Sequence, residues 1–558
     1  MSKTKSTWWK EAIVYQIYPR SFCDSNGDGI GDIPGIISKL DHIASLGVDV
    51  IWLCPVYQSP NNDNGYDISN YYDVMPEFGT MEDFDLLLSE IHGRGMKLIM
   101  DLVVNHTSDE HAWFQESRSS KDNPKRDYYI WKEGKSDELP NNWTSIFGGS
   151  TWEYNQETDD YYLHIFTKKQ PDLNWENPKV REEVFQLMTF WLEKGIDGFR
   201  MDVISVISKK NYDDSPFEDL NDTITKVFAD GPRIHEYLKE MNQKVLSKYD
   251  IMTVGEGPGI NLGNANDYVS KEAHQLDMIF HFDHMFIDHG PEGKFTPVPY
   301  KLSRFKEIFR EWDEALKESS WGSIFLGNHD FPRIVSRFGN DGQFRIKSAK
   351  LLCMLLLTHR GTPYVYQGEE IGMTNVAFDS IDDYDDVEIH NVYKEWKAKK
   401  RDLNVLMKAI HEQGRDNART PMHWEDTANA GFTSGKPWIK LNPNYSSINV
   451  ANQVDDEDSI LSFYKEMISL RKKYSTLTYG DYLQISDTSE EIFAYWREDK
   501  DGKFLIVLNF SDEDSVFEFH NEEGDYNLII SNVDIEPEFA GSVLIRPWQA
   551  ILYQYSAR

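Results

Sequence analysis

Asp202, Glu256 and Asp330 each stand at or just beyond the end of a short apolar run, a costly place for a carboxylate whose only task is stability. Burying such a group costs free energy unless it is paired. Imidazoles, amides and a guanidinium occupy the same kind of position: Asn105-His106, Arg200, and Asn328-His329 beside Asp330. Carboxylates converging in one cleft suit glycoside hydrolysis. One attacks the anomeric carbon, while another, kept protonated, delivers its proton to the leaving oxygen and then activates water. A gap of about 5–5.5 Å between the two gives retention and a wider one inversion, and that gap is not legible in a sequence. Metal-assisted hydrolysis would draw on a similar set of Asp and His and stays open at this point. Arg200 lies two residues before Asp202, on the same face of a strand, where its charge keeps that carboxylate ionised.

A second constellation is DSNGDGIGD at 24–32. Asp24, Asn26, Asp28 and Asp32 at alternate positions, with the Ile30 carbonyl, suit a hard, oxygen-liking cation. The run begins like an EF-hand loop, but its twelfth position is Gly35 rather than Glu. The alternative to a cation site is an Asx-rich loop leaving the first strand.

Residues so far apart in the chain need a scaffold that gathers them. The runs 13–19, 48–55, 96–106, 197–203, 251–256, 278–284, 323–330 and 362–370 are strand-like, and helical patterns lie between them. In the helical stretch from Pro178, Val180, Val184, Leu187, Met188, Trp191 and Leu192 recur at spacings of three and four, and Gly195 supplies a stop. Eight interleaved strands predict an α/β fold, a parallel (β/α)8 TIM barrel, with the site at the carboxyl ends of the strands. The stretch 105–173 is too long for a βα loop and is expected to be a small inserted domain. Beyond 480, short alternating strands without helices predict a C-terminal antiparallel β-sandwich. The expected division is a barrel over 1–104 and 174–480, domain B over 105–173, and the sandwich over 481–558.

Composition narrows the partners. Of 558 residues, 58 are basic and 93 acidic, and a formal charge of -35 repels phosphate backbones and anionic lipid. Neither nucleic acid nor membrane is an expected partner. The longest apolar run, LLCMLLL at 351–357, is too short to cross a bilayer and reads as a buried helix. Three widely spaced cysteines, Cys23, Cys54 and Cys353, offer no disulfide framework, and MSKTKSTWWKEA lacks a secretory h-region. A cytoplasmic monomer or weak homo-oligomer is the expectation.

The motifs DLVVNH (101–106), GFRMDV (198–203), VGEG (254–257) and FLGNHD (325–330) closely resemble the four conserved motifs of the α-amylase superfamily, glycoside hydrolase family thirteen. QPDLNW (170–175) is similar to the fifth motif in its oligo-1,6-glucosidase branch, and NGYDISNYY, VSRFGND, YVYQGEEIGMTN and RDNARTPMHW extend the likeness over essentially the whole chain. The resemblance implies a nucleophile at Asp202, a general acid/base at Glu256 and a transition-state stabiliser at Asp330. It also implies sugar-hydroxyl donors at His106 and His329, a stacking ring at Tyr66, and an Asp67–Arg415 pair closing the pocket floor for exo action. Phe166 is a candidate for the pocket wall. In the resembling enzymes the 24–32 loop holds a structural Ca²⁺, and no catalytic cofactor is implied.

Linkage rests on two positions. Val203, directly after the nucleophile, resembles enzymes that prefer α-1,6 bonds, which implies hydrolysis of isomaltose and short isomaltooligosaccharides. Gly257 departs from the bulkier apolar residue usual after the acid, and the missing side chain is expected to widen the aglycone site. An α-1,4-glucosidase, a sucrose isomerase or transglucosidase, and a trehalose-6-phosphate hydrolase share the same catalytic residues. A non-catalytic binding or transporter subunit would typically have lost an acid, and all three are retained.

Overall fold

The computed structural model describes residues 7–217, 219–486, 488–518, 524–534 and 542–557. Residues 1–6 of the MSKTKSTWWKEA start lie outside them.

All eight predicted runs form strands of one parallel sheet: β1 Val14–Ile17, β2 Val50–Leu53, β3 Lys97–Leu102, β4 Gly198–Met201, β5 Met252–Glu256, β6 Met278–Phe280, β7 Ser323–Ile324 and β8 Thr362–Tyr366. They pair in the order β6-β5-β4-β3-β2-β1-β8-β7. The Ser323 hydroxyl donates to the Ile279 carbonyl at 2.6 Å, which brings β7 against β6 and closes the ring. Buried residues run along every strand, as parallel sheets covered on both faces require.

The helices read as the spacing predicts. Helix Pro178–Lys194 starts on an Asn177 cap that accepts from the Lys179 N–H, carries Pro at its first position, and ends at Gly195 with φ 109°. Its apolar stripe faces the barrel. Helix Arg345–Thr358 carries LLCMLLL and is buried along its last eleven residues. Among the described residues no helix is long and apolar enough to cross a membrane.

Between β3 and that first helix the chain builds a three-stranded antiparallel sheet from Trp131–Glu133, Asp160–Leu163 and Trp152–Asn155. Its core of Trp143, Trp152, Leu163 and Ile165 is continuous with Val203, Val206 and Phe228 from beyond β4. A buried ion pair, Lys209 Nζ to Asp172 Oδ2 at 2.5 Å, ties the same two segments. After the barrel a five-stranded antiparallel sheet and a two-stranded one, Ser515–Glu518 with Ser542–Ile545, form the C-terminal β unit.

Candidate active site

Arg200 organises the centre of the barrel mouth. Its Nη1 donates to Asp101 Oδ1 at 2.5 Å and to Asp202 Oδ1 at 2.7 Å, and its Nη2 lies 2.7 Å from Glu256 Oε2. The guanidinium is 1% exposed, so these charges meet away from water and act strongly on one another. Asp202 follows β4 directly and Glu256 ends β5, so the two reach one guanidinium because β4 and β5 are neighbours. Burial pushes the Asp202 carboxyl well up; Glu256 and Asp101 push the same way, and Arg200 opposes them. Asp101, absent from the residues singled out in the sequence although it opens DLVVNH, is raised to about 6 by burial, against the pull of Arg200 and the Trp52 Nε1 donor at 2.8 Å.

Val203 takes φ 35° and ψ 39°, a left-handed conformation that is an outlier for a β-branched residue. Its N–H donates to Glu256 Oε2 at 3.0 Å. The strained turn after the nucleophile therefore also orients the second acid.

Asp330 sits among cations. Its Oδ1 accepts from Arg419 Nη2 at 2.8 Å and from Arg415 Nη1 at 3.3 Å, and its Oδ2 lies 3.2 Å from His329 Nε2. Burial pushes this carboxyl up, but the charges of Arg415, Arg419 and Arg200 outweigh it and hold it far below the usual range. Burial lowers His329 to about 3, so its ring is neutral. Gln16 Nε2 contacts His329 Nδ1 at 2.9 Å; with the amide as donor, the ring proton belongs on Nε2. That nitrogen is buried beside Asp330 Oδ2 and makes no aligned hydrogen bond there. Tyr66 stacks on His329 with centroids 5.1 Å apart and planes 9° from parallel, and its hydroxyl donates to Asp101 Oδ2 at 3.3 Å. Asp101, Tyr66, His329 and Asp330 thus form a continuous wall.

The pocket-floor pair differs from expectation. Arg415 does not meet Asp67. It binds Asp386 through Nη2 at 2.5 Å and Nε at 3.0 Å, and reaches Asp63 at 3.4 Å. Asp67 is unavailable because its oxygens accept from the Ser59 hydroxyl and from the N–H groups of Asn62 and Asp63 at 2.8–3.0 Å, organising the 59–67 loop. Burial raises Asp67 to about 7. Asp63, Asp386 and Arg419 join Asp101 among the residues sequence reasoning missed: Asp63 is four positions from the acid chosen, and Arg419 is one helical turn beyond Arg415.

Two other expectations change, those for His106 and Gly257. His106 spends Nε2 on the Tyr66 carbonyl at 2.9 Å, with Asn105 Nδ2 at 3.2 Å from Nδ1, so it braces the wall rather than presenting a free donor. Phe166 does reach the site, its ring 5.0 Å from His106 and 5.8 Å from Phe147, whose face carries Arg415 at 4.8 Å. The room beside Gly257 is not open: a Cβ there would stand 2.6 Å from Ile260 Cδ1.

The 24–32 loop folds on itself. Asp24 accepts from the N–H groups of Asn26, Gly27 and Gly29, Asn26 Oδ1 from Asp28, and Asp28 Oδ1 from Ile30, all at 2.8–2.9 Å. Asp32 accepts from Ser25 and caps the next helix through the Gly35 N–H. Among the described residues no three acidic, His or Cys side chains gather as a metal-holding group.

Residues 16–480 match the family model described as alpha amylase, catalytic domain. An oligo-1,6-glucosidase of Bacillus cereus is 54% identical over 98% of this chain and 99% of that protein, and one of Parageobacillus thermoglucosidasius is 54% identical with the same coverage. Among solved structures, a trehalulose synthase from Pseudomonas mesoacidophila superposes with a TM-score of 0.96 at 43% identity, covering 99% of this chain and 100% of that one. A Bacillus licheniformis trehalose-6-phosphate hydrolase superposes at 0.94 and 47%, with the same coverage.

Proposed function

This chain belongs to the α-amylase family, and on that premise we propose that it is a retaining, exo-acting α-glucosidase that hydrolyses terminal α-1,6-glucosidic bonds of isomaltose and short isomaltooligosaccharides. The observation that carries the reading is Arg200 binding Asp202 and Glu256 through neighbouring nitrogens. Carboxylates drawn together on one guanidinium match the close spacing of retaining enzymes rather than the wider gap that admits water.

In this reading Asp202 attacks the anomeric carbon while Glu256 gives a proton to the leaving oxygen, which forms a glucosyl ester on Asp202. Glu256 then takes a proton from water as that water displaces the ester, restoring both groups. Asp330, kept ionised by its cations, lies where positive charge develops on the ring. His329 supplies a hydroxyl donor, and Arg415 with Asp63 and Asp386 closes the floor around the non-reducing end. The preference for α-1,6 bonds is supported by Val203 and by the names of the most similar relatives.

A structural Ca²⁺ belongs to the same proposal. Oxygens of Asp24, Asn26 and Asp28, ordered by their own backbone amides, keep lone pairs, and with the Ile30 carbonyl and Asp32 they are the donor chemistry Ca²⁺ takes. An ion there would stiffen the loop. Three free, buried cysteines suit a reducing, cytoplasmic setting. The division at 105, 174 and 481 is likewise the one we propose.

The deciding experiment incubates the protein with isomaltose, maltose, sucrose and trehalose 6-phosphate and identifies all products. Glucose from isomaltose, faster than from maltose, is expected. Isomerised sucrose as the main product would transfer the assignment to the isomerase reading, which the trehalulose synthase likeness keeps as the second.

A further inference from the structure

An acid that reaches the glycosidic oxygen places the chain just beyond it against the leaving sugar. Beyond Glu256 a tight turn begins at Gly257, whose carbonyl accepts from the Ile260 N–H at 3.0 Å. The turn is held on every side. The Gly257 N–H donates to the Phe280 carbonyl at 3.1 Å, and the Ser205 hydroxyl donates to the Pro258 carbonyl at 2.7 Å. Gly259 takes φ 79° against Ala229, whose Cβ would stand 2.6 Å from a Cβ at 259, so only glycine fits there. At Gly257 the neighbour is a side chain instead: Ile260 Cδ1 at 2.6 Å and Cγ1 at 3.0 Å from where a Cβ would be. Positions 257 and 260 contend for one volume, and this chain fills it from 260. The same turn is fastened to the Val203 segment twice, through Ser205 and through the Val203 N–H on Glu256.

We infer that Ile260 is a specificity-determining residue: it supplies the apolar wall on the leaving-group side of Glu256 that residue 257 lacks, and the combined size of the 257/260 pair selects the glucosidic linkage. The inference rests on the α-glucosidase reading above. Its test compares kcat/KM on isomaltose, maltose and p-nitrophenyl α-glucoside for the wild type, Ile260→Val, Ile260→Ala, Gly257→Val and the double variant Gly257→Val/Ile260→Ala. Apolar pockets discriminate by about 10–200-fold per methylene-sized change, so Ile260→Ala should move the isomaltose-to-maltose ratio by about tenfold or more and Ile260→Val by less in the same direction. Gly257→Val alone should lose activity on both disaccharides, and the double variant should return the ratio toward the wild-type value. A loss of packing alone lowers both substrates together and leaves their ratio untouched. Folded Ile260 variants whose ratio stays within about twofold of wild type would overturn the inference while leaving the α-glucosidase reading intact. A wild type inert on both disaccharides and on the aryl glucoside would overturn both.

Discussion

The backbone N–H of Val203 donates to Glu256 Oε2 at 3.0 Å, so the residue after one acid positions the other. Val203 holds a left-handed φ of 35° to do so, a conformation that costs about 1–3 kcal/mol and persists only where its surroundings enforce it. The enforcing contacts are the buried cluster of Val203 with Val206 and Phe228 and the Arg200 hub beneath.

Removing either acid should separate the two chemical steps. Asp202→Ala is expected to lower kcat by about 10⁴-fold or more on every substrate. Glu256→Gln should be equally severe on isomaltose but milder on p-nitrophenyl α-glucoside, whose leaving group needs no proton. Steady-state rates on the two substrates check this; equal losses in Glu256→Gln would contradict the acid role.

Arg200 should matter to folding as well as rate. Arg200→Met strands Asp101, Asp202 and Glu256 in a buried site, and breaking a buried ion pair costs about 3–5 kcal/mol. Urea unfolding at neutral pH should show that loss, and it should shrink at acid pH where the carboxyls are protonated. A variant as stable as wild type would refute the hub.

Asp63 and Asp67 should part company. Asp63→Ala is expected to raise KM with little change in Tm, because Asp63 contacts Arg415. Asp67→Ala should mainly lower Tm, by about 1–3 kcal/mol of stability for the three donors left unpaired. The reverse pattern in kinetics and thermal melts would restore Asp67 to the pocket floor.

Acid should unfold this protein through its histidines. Burial holds His284, His359 and His423 at about 3, below the ordinary histidine value near 6.5. A group depressed on folding contributes stability that is complete above its unfolded value and is lost as pH falls from about 6.5 toward 3. His359 lies 4.5 Å from Tyr482, where the barrel meets the C-terminal sheet. In urea titrations across that window His359→Gln should show a shallower fall than wild type; an identical slope would remove His359 from the account.

The barrel was legible because its signals are local. Eight apolar runs, and caps such as Asn177 and Gly195, are each read from neighbouring residues, and the helix from Pro178 formed where its spacing placed it. The positions of Asp202, Glu256 and Asp330 followed from strand ends and motifs. Side-chain direction inside loops did not. Asp63 and Asp67 share one loop, and the turn at Asn61, Asn64 and Gly65, all with positive φ, decides which acid faces Arg415. Asp386 reaches that arginine from 29 residues upstream, out of a run of acids that nothing local distinguishes. Ile260 filling the room at Gly257 is a contact between two loop residues with no periodic signature.

The most direct test of the central claim is the anomeric form of the glucose first released from p-nitrophenyl α-glucoside, whose leaving group is not a sugar, followed by ¹H NMR. Double displacement through Asp202 predicts α-glucose first, with β-glucose appearing only as mutarotation proceeds. β-Glucose as the first product would mean direct attack by water and would contradict the account.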